Sequence, residues 1–217
     1  MHCAKKSAWL ITNHAPARIV SGYANICGDV LAVDAGLEAV AKLKLSPKLI
    51  IGDFDSLPID LLQQFKDVAV HKHEQRKNET DTELALDWCI QQGYRDIVIC
   101  NDMQGRFDHS LAIIQNLLNL HRKGICARIE SEKQQIFFLT LHTALEGQKG
   151  DLLSLLCYGN EAQFKSSSGL EYPLDGLQLY QHQSRGISNV FAQNRIEIEL
   201  NTGEVLAVYS PHRTGNS

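Results

Sequence analysis

The alternation of short apolar strands with amphipathic stretches, and its abrupt end at Gly124, constrains this chain more than any other feature. Ala8 to Thr12, Asp29 to Val33, Lys48 to Ile51, Asp67 to Val70 and Ile97 to Cys100 read as strands. Helical patterns lie between and after them, at Gly36 to Leu45, Pro58 to Phe65, Thr80 to Gln92 and His109 to Lys123. Strands that are apolar on both faces and separated by helices predict a mainly parallel sheet covered on both sides. Thr80 and Glu83 fit a capping box, in which each side chain satisfies a backbone N–H at the helix start. Beyond Gly124 the predicted elements are all strands: Ala127 to Ser131, Gln135 to Leu141, Asp151 to Tyr158, Ala162 to Lys165, Ile196 to Leu200 and Val205 to Tyr209. Turn-forming pairs such as Gly159-Asn160 and Thr202-Gly203 separate them. The fold class expected is α/β, with an N-terminal parallel domain over 1-125 followed by an all-β sandwich over 126-217.

Composition narrows the function classes. A net charge of -4 offers no basic excess with which to displace counterions from a nucleic acid. No apolar run approaches the roughly 20 residues that span a bilayer. The apolar stretch Ala8 to Ile11 behind Lys5 and Lys6 is too short for a signal-peptide core, so a cytoplasmic protein is expected. The 6 cysteines are scattered, without the close pairs of a zinc site or disulfide framework.

Carboxylates recur where a parallel sheet ends its strands. Asp34 follows Leu31-Ala32-Val33, Asp53 and Asp55 follow Ile50-Ile51-Gly52, Asp81 follows Thr80, and Asp108 opens a helix after the fifth strand. An acidic residue at a helix start is ordinary, being favoured by about 0.3–1 kcal/mol. A gathering at one sheet edge is not explained by capping alone, because like charges so close need a cation or a set of donors between them. Hard oxygen ligands suit Mg²⁺, which also takes phosphate oxygens. In Gln104-Gly105-Arg106-Phe107-Asp108-His109, Arg106 can clamp a phosphate bidentately or form a surface ion pair with Asp108 or Asp102. His109 reads as structural, and His71-Lys72-His73-Glu74 as a solvated loop.

These segments resemble the thiamine pyrophosphokinase (thiamine diphosphokinase) family. The resemblance is carried by Asp34-Ala35-Gly36, Gly52-Asp53-Phe54-Asp55-Ser56, Thr80-Asp81 through Leu86, Gly105 to His109, Gly169-Leu170-Glu171-Tyr172-Pro173-Leu174 and Gly186-Ile187-Ser188-Asn189-Val190-Phe191, in the family's order. It implies transfer of pyrophosphate from ATP to thiamine, giving thiamine diphosphate and AMP, by a homodimer. It implies that Asp53, Asp55 and Asp81 hold Mg²⁺ and the phosphates with Asp34 beside them, that Gln104, Arg106 and Asp108 line the ATP side or orient groups there, and that Thr80 is a further substrate-binding residue. Ser188 and Asn189 would help form the thiamine pocket, with Tyr172 as its aromatic wall. Asp81 and Asp108 are the alternatives for accepting the alcohol proton. The chain departs from the family's usual residues at Ala35, Asn78, Gln104 and Ile113. Asn78 in particular leaves open a non-catalytic thiamine- or nucleotide-binding relative, and another Mg²⁺-dependent phosphoryl transferase is the second alternative.

Overall fold

A computed structural model describes residues 6–53, 57–72 and 79–212, so Asp55, His73 and Asn78 lie outside the described residues. The chain forms two compact units, Met1–Glu132 and Lys133–Ser217.

The first unit alternates strand and helix as expected. Its elements are β1 (Ser7–Ile11), β2 (Asp29–Val33), α1 (Gly36–Lys42), β3 (Pro47–Gly52), α2 (Ile59–Gln64), β4 (Ala69–Lys72), α3 (Asp81–Gln91), β5 (Asp96–Cys100), α4 (Phe107–Arg122) and β6 (Cys126–Glu130), with a 3₁₀ turn at Tyr23–Asn25. The strands pair in the order β6-β5-β1-β2-β3-β4, every neighbour parallel. Leu10 of β1 lies opposite Leu31 on one side and Ile99 on the other. Central strands β1, β2, β3 and β5 are buried along almost their whole length, as strands covered on both faces must be. The edge strand β4 is exposed throughout. On one face Trp9, Ile11, Ala32, Ile50 and Val98 pack against Leu37 and Val40 of α1. The Thr80 hydroxyl caps α3, accepting from the Glu83 N–H at 3.2 Å. Arg106 is the N-cap of α4, with Asp108 in the first turn and His121 and Arg122 in the last, each placed favourably toward the helix dipole.

Strand β6 is the main departure from the sequence reading, which starts the second domain at 126. It pairs parallel with β5, Ile97 opposite Ala127, and so belongs to the first unit. The residues of a single short strand do not distinguish a sixth parallel strand from the first of an antiparallel set; its pairing partner does.

The second unit contains β7 (Gln135–Phe138), β8 (His142–Glu146), β9 (Leu152–Cys157), β10 (Glu161–Ser168), β11 (Gln178–Tyr180), β12 (Asn189–Val190), β13 (Arg195–Thr202) and β14 (Val205–Ser210). They pair antiparallel in two sets, β12-β9-β14-β7 and β11-β10-β13-β8. Ile196, Ile198 and Leu200, the apolar half of an alternating strand, share a core with Phe164, Leu153, Leu155, Ala207 and Phe191. Strands β8, β11 and β12 were not expected; β11 and β12 are very short, and β8 leaves alternate residues exposed.

Candidate active site

The loops that leave the carboxyl ends of β1, β2, β3 and β5 border a cavity of about 480 Å³ in the first unit. Asp34, Asp53, Thr80, Asp81, Gln104 and Arg106, all anticipated from the sequence, line it. Asp108 is not among the lining residues, and Tyr172, Ser188 and Asn189 belong to the second unit.

Asp34 stands at the centre of the acidic wall. It occupies the left-handed region (φ 48°), where Asp is among the residues that pay least. Its Oδ1 is buried without a hydrogen-bond partner among the described residues. Gly52 is what admits it, because a β-carbon at position 52 would lie 1.9 Å from that oxygen. Gly36 is equally constrained, since its β-carbon would lie 1.9 Å from the Ile11 carbonyl oxygen beneath α1. Burial first, then a hydrogen bond with Asp81 and repulsion from Asp81 and Asp53, push the Asp34 carboxyl up to about 7. An N–H from Asp53 opposes this only in part. Three carboxylates therefore lie close enough together that Asp53 and Asp81 disfavour the charged form of Asp34. Among the described residues no group of three or more His, Cys, Asp or Glu forms a ready metal-ligand set. The donor chemistry fits a hard divalent cation nonetheless: an orphaned carboxylate oxygen and neighbouring carboxylates are what such an ion takes.

Gln104 and Arg106 bring hydrogen-bond donors to the cavity wall. Arg106 binds both oxygens of Asp108, through Nε at 3.1 Å and Nη2 at 2.5 Å, and holds that carboxyl below the usual carboxylate range. Asp108 also accepts from the His109 N–H at 3.0 Å. The pair is exposed, and such pairs contribute little to stability, so Arg106 can exchange its partner for a phosphate at small cost. The Gln104 amide donates to Asp102, whose Oδ1 accepts from the Glu132 N–H.

Sequence reasoning missed the residues that shape this wall. Asn101, 5% exposed, donates to Thr12 Oγ1 at 2.9 Å and to the Asn13 carbonyl at 2.8 Å, and accepts from the Met103 N–H at 2.7 Å. It ties the end of β5 to the end of β1. The usable signal was a polar run, Thr12-Asn13-His14 and Asn101-Asp102, directly after an apolar strand.

In the second unit Ser188 is exposed at φ 59°, its N–H donating to Ser154 Oγ at 3.0 Å. Asn189 is buried. Its Oδ1 accepts from the N–H groups of Tyr172 (3.1 Å) and Val190 (2.8 Å), and its Nδ2 donates to the Tyr172 carbonyl at 2.7 Å. The Tyr172 ring is thereby fixed at its backbone and left 59% exposed, with Ile187 48% exposed.

A parallel α/β unit with carboxylates and hydrogen-bond donors lining a cavity at its strand ends, followed by an antiparallel unit presenting an exposed aromatic ring, is an architecture that suits a two-substrate transferase. The comparisons make this specific. Residues 23–129 match the thiamin pyrophosphokinase catalytic domain, and residues 139–205 match the thiamin pyrophosphokinase vitamin B1 binding domain. The chain belongs to the thiamin pyrophosphokinase family. Thiamine pyrophosphokinase of Bacillus subtilis is 24% identical over 184 residues, covering 83% of this chain and 86% of the relative. The crystal structure of a B. subtilis thiamine pyrophosphokinase superposes with a TM-score of 0.83 at 22% identity, covering 95% of this chain and 100% of that one. Yeast thiamin pyrophosphokinase superposes at 0.77 with 16% identity, covering 95% and 87%.

Proposed function

We propose that this chain makes thiamine diphosphate by moving the pyrophosphoryl group of ATP onto thiamine, with AMP as the second product, and that the cavity of the first unit is where ATP is held. The family assignment carries the reaction, and the carboxylates of Asp34, Asp53 and Asp81 together on the cavity lining support the placement. Asp53, Asp55 and Asp81 would hold Mg²⁺, with Asp34 beside them. Held there, the ion would neutralise polyphosphate charge and the charge developing on the departing AMP.

The remaining work falls to side chains of this chain. The hydroxyethyl oxygen of thiamine forms a bond to the β-phosphorus, the bond from that phosphorus to the α–β bridging oxygen breaks, and AMP leaves with the electron pair. Such transfers depend mostly on in-line positioning and charge stabilisation. Of the two carboxylates able to accept the alcohol proton, Asp81 is the better supported, because it lines the cavity and Asp108 does not. Arg106 and Gln104 orient the nucleotide side. Ser188 and the exposed ring of Tyr172 meet the cationic thiamine, which an aromatic face favours. A homodimer in the cytoplasm, binding neither membrane nor nucleic acid, completes the reading. Among the described residues no helix is long and apolar enough to cross a membrane.

The test is AMP release from ATP and Mg²⁺ with and without thiamine, with thiamine diphosphate identified by mass. Thiamine-dependent AMP is expected. Release of ADP would make the protein a simple kinase, and thiamine binding without any product would make it a non-catalytic relative.

A further inference from the structure

The order in which strands are added to the parallel sheet reverses at β1. The chain runs outward through β2, β3 and β4, then returns to lay β5 and β6 on the other side of β1. In open α/β sheets the crevice beyond the strand ends at such a reversal is where ligands sit. Two segments meet there. His14 follows β1, and Gly105 follows β5, and a β-carbon at position 105 would lie 3.0 Å from the Nε2 of His14. The exposed imidazole, placed beside Gly105, lines the cavity together with Gln104, Arg106 and Ser110 as well as the carboxylates of Asp34, Asp53 and Asp81.

The position of His14 is imposed by its surroundings. Its backbone sits at φ 64°, a region most non-glycine residues avoid. Its carbonyl accepts from the Asp102 N–H at 3.0 Å and its own N–H donates to Asn13 Oδ1 at 3.0 Å. Asn101 holds the Asn13 carbonyl from the other side. A residue kept in an unfavourable conformation by so many contacts, and still presenting its ring to a cavity, has the marks of a binding position.

We propose that His14 is a nucleotide-binding residue. Its imidazole donates a hydrogen bond to the phosphate chain of ATP on the AMP side of the bond that breaks, and the missing side chain of Gly105 leaves the ring its room. This rests on the reading of the cavity as the ATP site.

His14→Ala, His14→Gln and His14→Gly would be compared with the parent by calorimetric titration of AMP, by KM for ATP and for thiamine in the AMP-release assay, and by thermal melting. Loss of one hydrogen bond to a charged group predicts that Ala and Gly variants bind AMP about tenfold more weakly, with KM for ATP raised to match. KM for thiamine should stay within about twofold. Gln, which keeps a donor, should recover part of the loss. The Gly variant should melt no lower than the parent, since it relaxes the backbone. Unchanged AMP affinity in both Ala and Gly variants overturns the proposal, as does an equal rise in both KM values accompanied by a lowered melt. If the parent binds AMP in a His14-dependent way yet forms no thiamine-dependent AMP, the nucleotide contact stands and the reading of the reaction fails.

Discussion

Asp34 and Asp151, one carboxylate in each unit, are in opposite electrostatic circumstances. Asp34 has a buried oxygen that accepts nothing among the described residues, and burial first, then its two carboxylate neighbours, push it up to about 7. Asp151 is 1% exposed, and burial pushes its carboxyl up, yet the net shift is downward. The reason is its donors: Tyr209 Oη at 2.5 Å, the Gln148 N–H at 2.6 Å and the His212 N–H at 2.6 Å. A carboxylate serving the fold is surrounded by groups that stabilise its charge. On the proposed function Asp34 instead serves a ligand, and a bound cation would stabilise the charge that its burial disfavours. Asp34 lies in a motif shared with the family, whereas nothing in the sequence singled out Asp151.

The largest effect should come from Asp34→Asn. Asn tolerates the left-handed backbone at this position and removes one of the competing charges. Turnover of thiamine should fall by about a hundredfold or more, since placement of the phosphates is lost. Stability of the free protein in urea should rise, by on the order of 1 kcal/mol after allowance for solvent screening. A variant that is both active and destabilised would erase the contrast. The pH dependence sharpens it. A carboxyl raised on folding costs stability progressively as pH rises from about 4, its unfolded value, to about 7, and Asp34→Asn should flatten that slope.

How much of this was legible beforehand depends on the kind of interaction. Strands β1, β2, β3 and β5 and all four helices follow from local periodicity, and Thr80 announced the start of α3. The carboxylates of the cavity wall were legible because each directly follows a strand or opens a helix, so sequence position alone sends them to one edge. Three things were not. Strand β6 needed its partner, a long-range fact. Asn101 and His14 act through contacts with each other's segments across about 90 residues, and neither carries a distinctive spacing. The job of Asn189 was hidden because residue type does not say whether an amide faces a ligand or the backbone of Tyr172.

Asp151→Asn should be next in size. Asn has a single acceptor oxygen and no charge to offer three donors, so the second unit should lose about 2–4 kcal/mol in a denaturant melt. The sign with pH is opposite to that of Asp34. A carboxyl depressed on folding contributes stability above its unfolded value near 4, and that contribution disappears as pH falls through the folded value. The parent should therefore lose stability below about pH 4 more steeply than Asp151→Asn does. Equal slopes would mean that the three donors do not hold the charge.

The smallest effect separates two residues of the thiamine motifs. Asn189→Ala leaves the Tyr172 and Val190 N–H groups without their acceptor and should cost about 1–3 kcal/mol of stability. Tyr172→Ala removes an exposed ring that contributes little to the core, so its melt should match the parent while KM for thiamine rises a few-fold, to about the extent of one exposed cation–π contact. On this reasoning Asn189 acts on thiamine only by fixing where Tyr172 stands, much as Asp151 acts only on the fold. It would then follow that Asn189→Ala and Tyr172→Ala are not additive in KM, because the amide has nothing left to position once the ring is gone. Additive losses would put the Asn189 amide on the ligand instead, and the second unit would then hold a binding group that, unlike Asp34, needs no unsatisfied atom to be one.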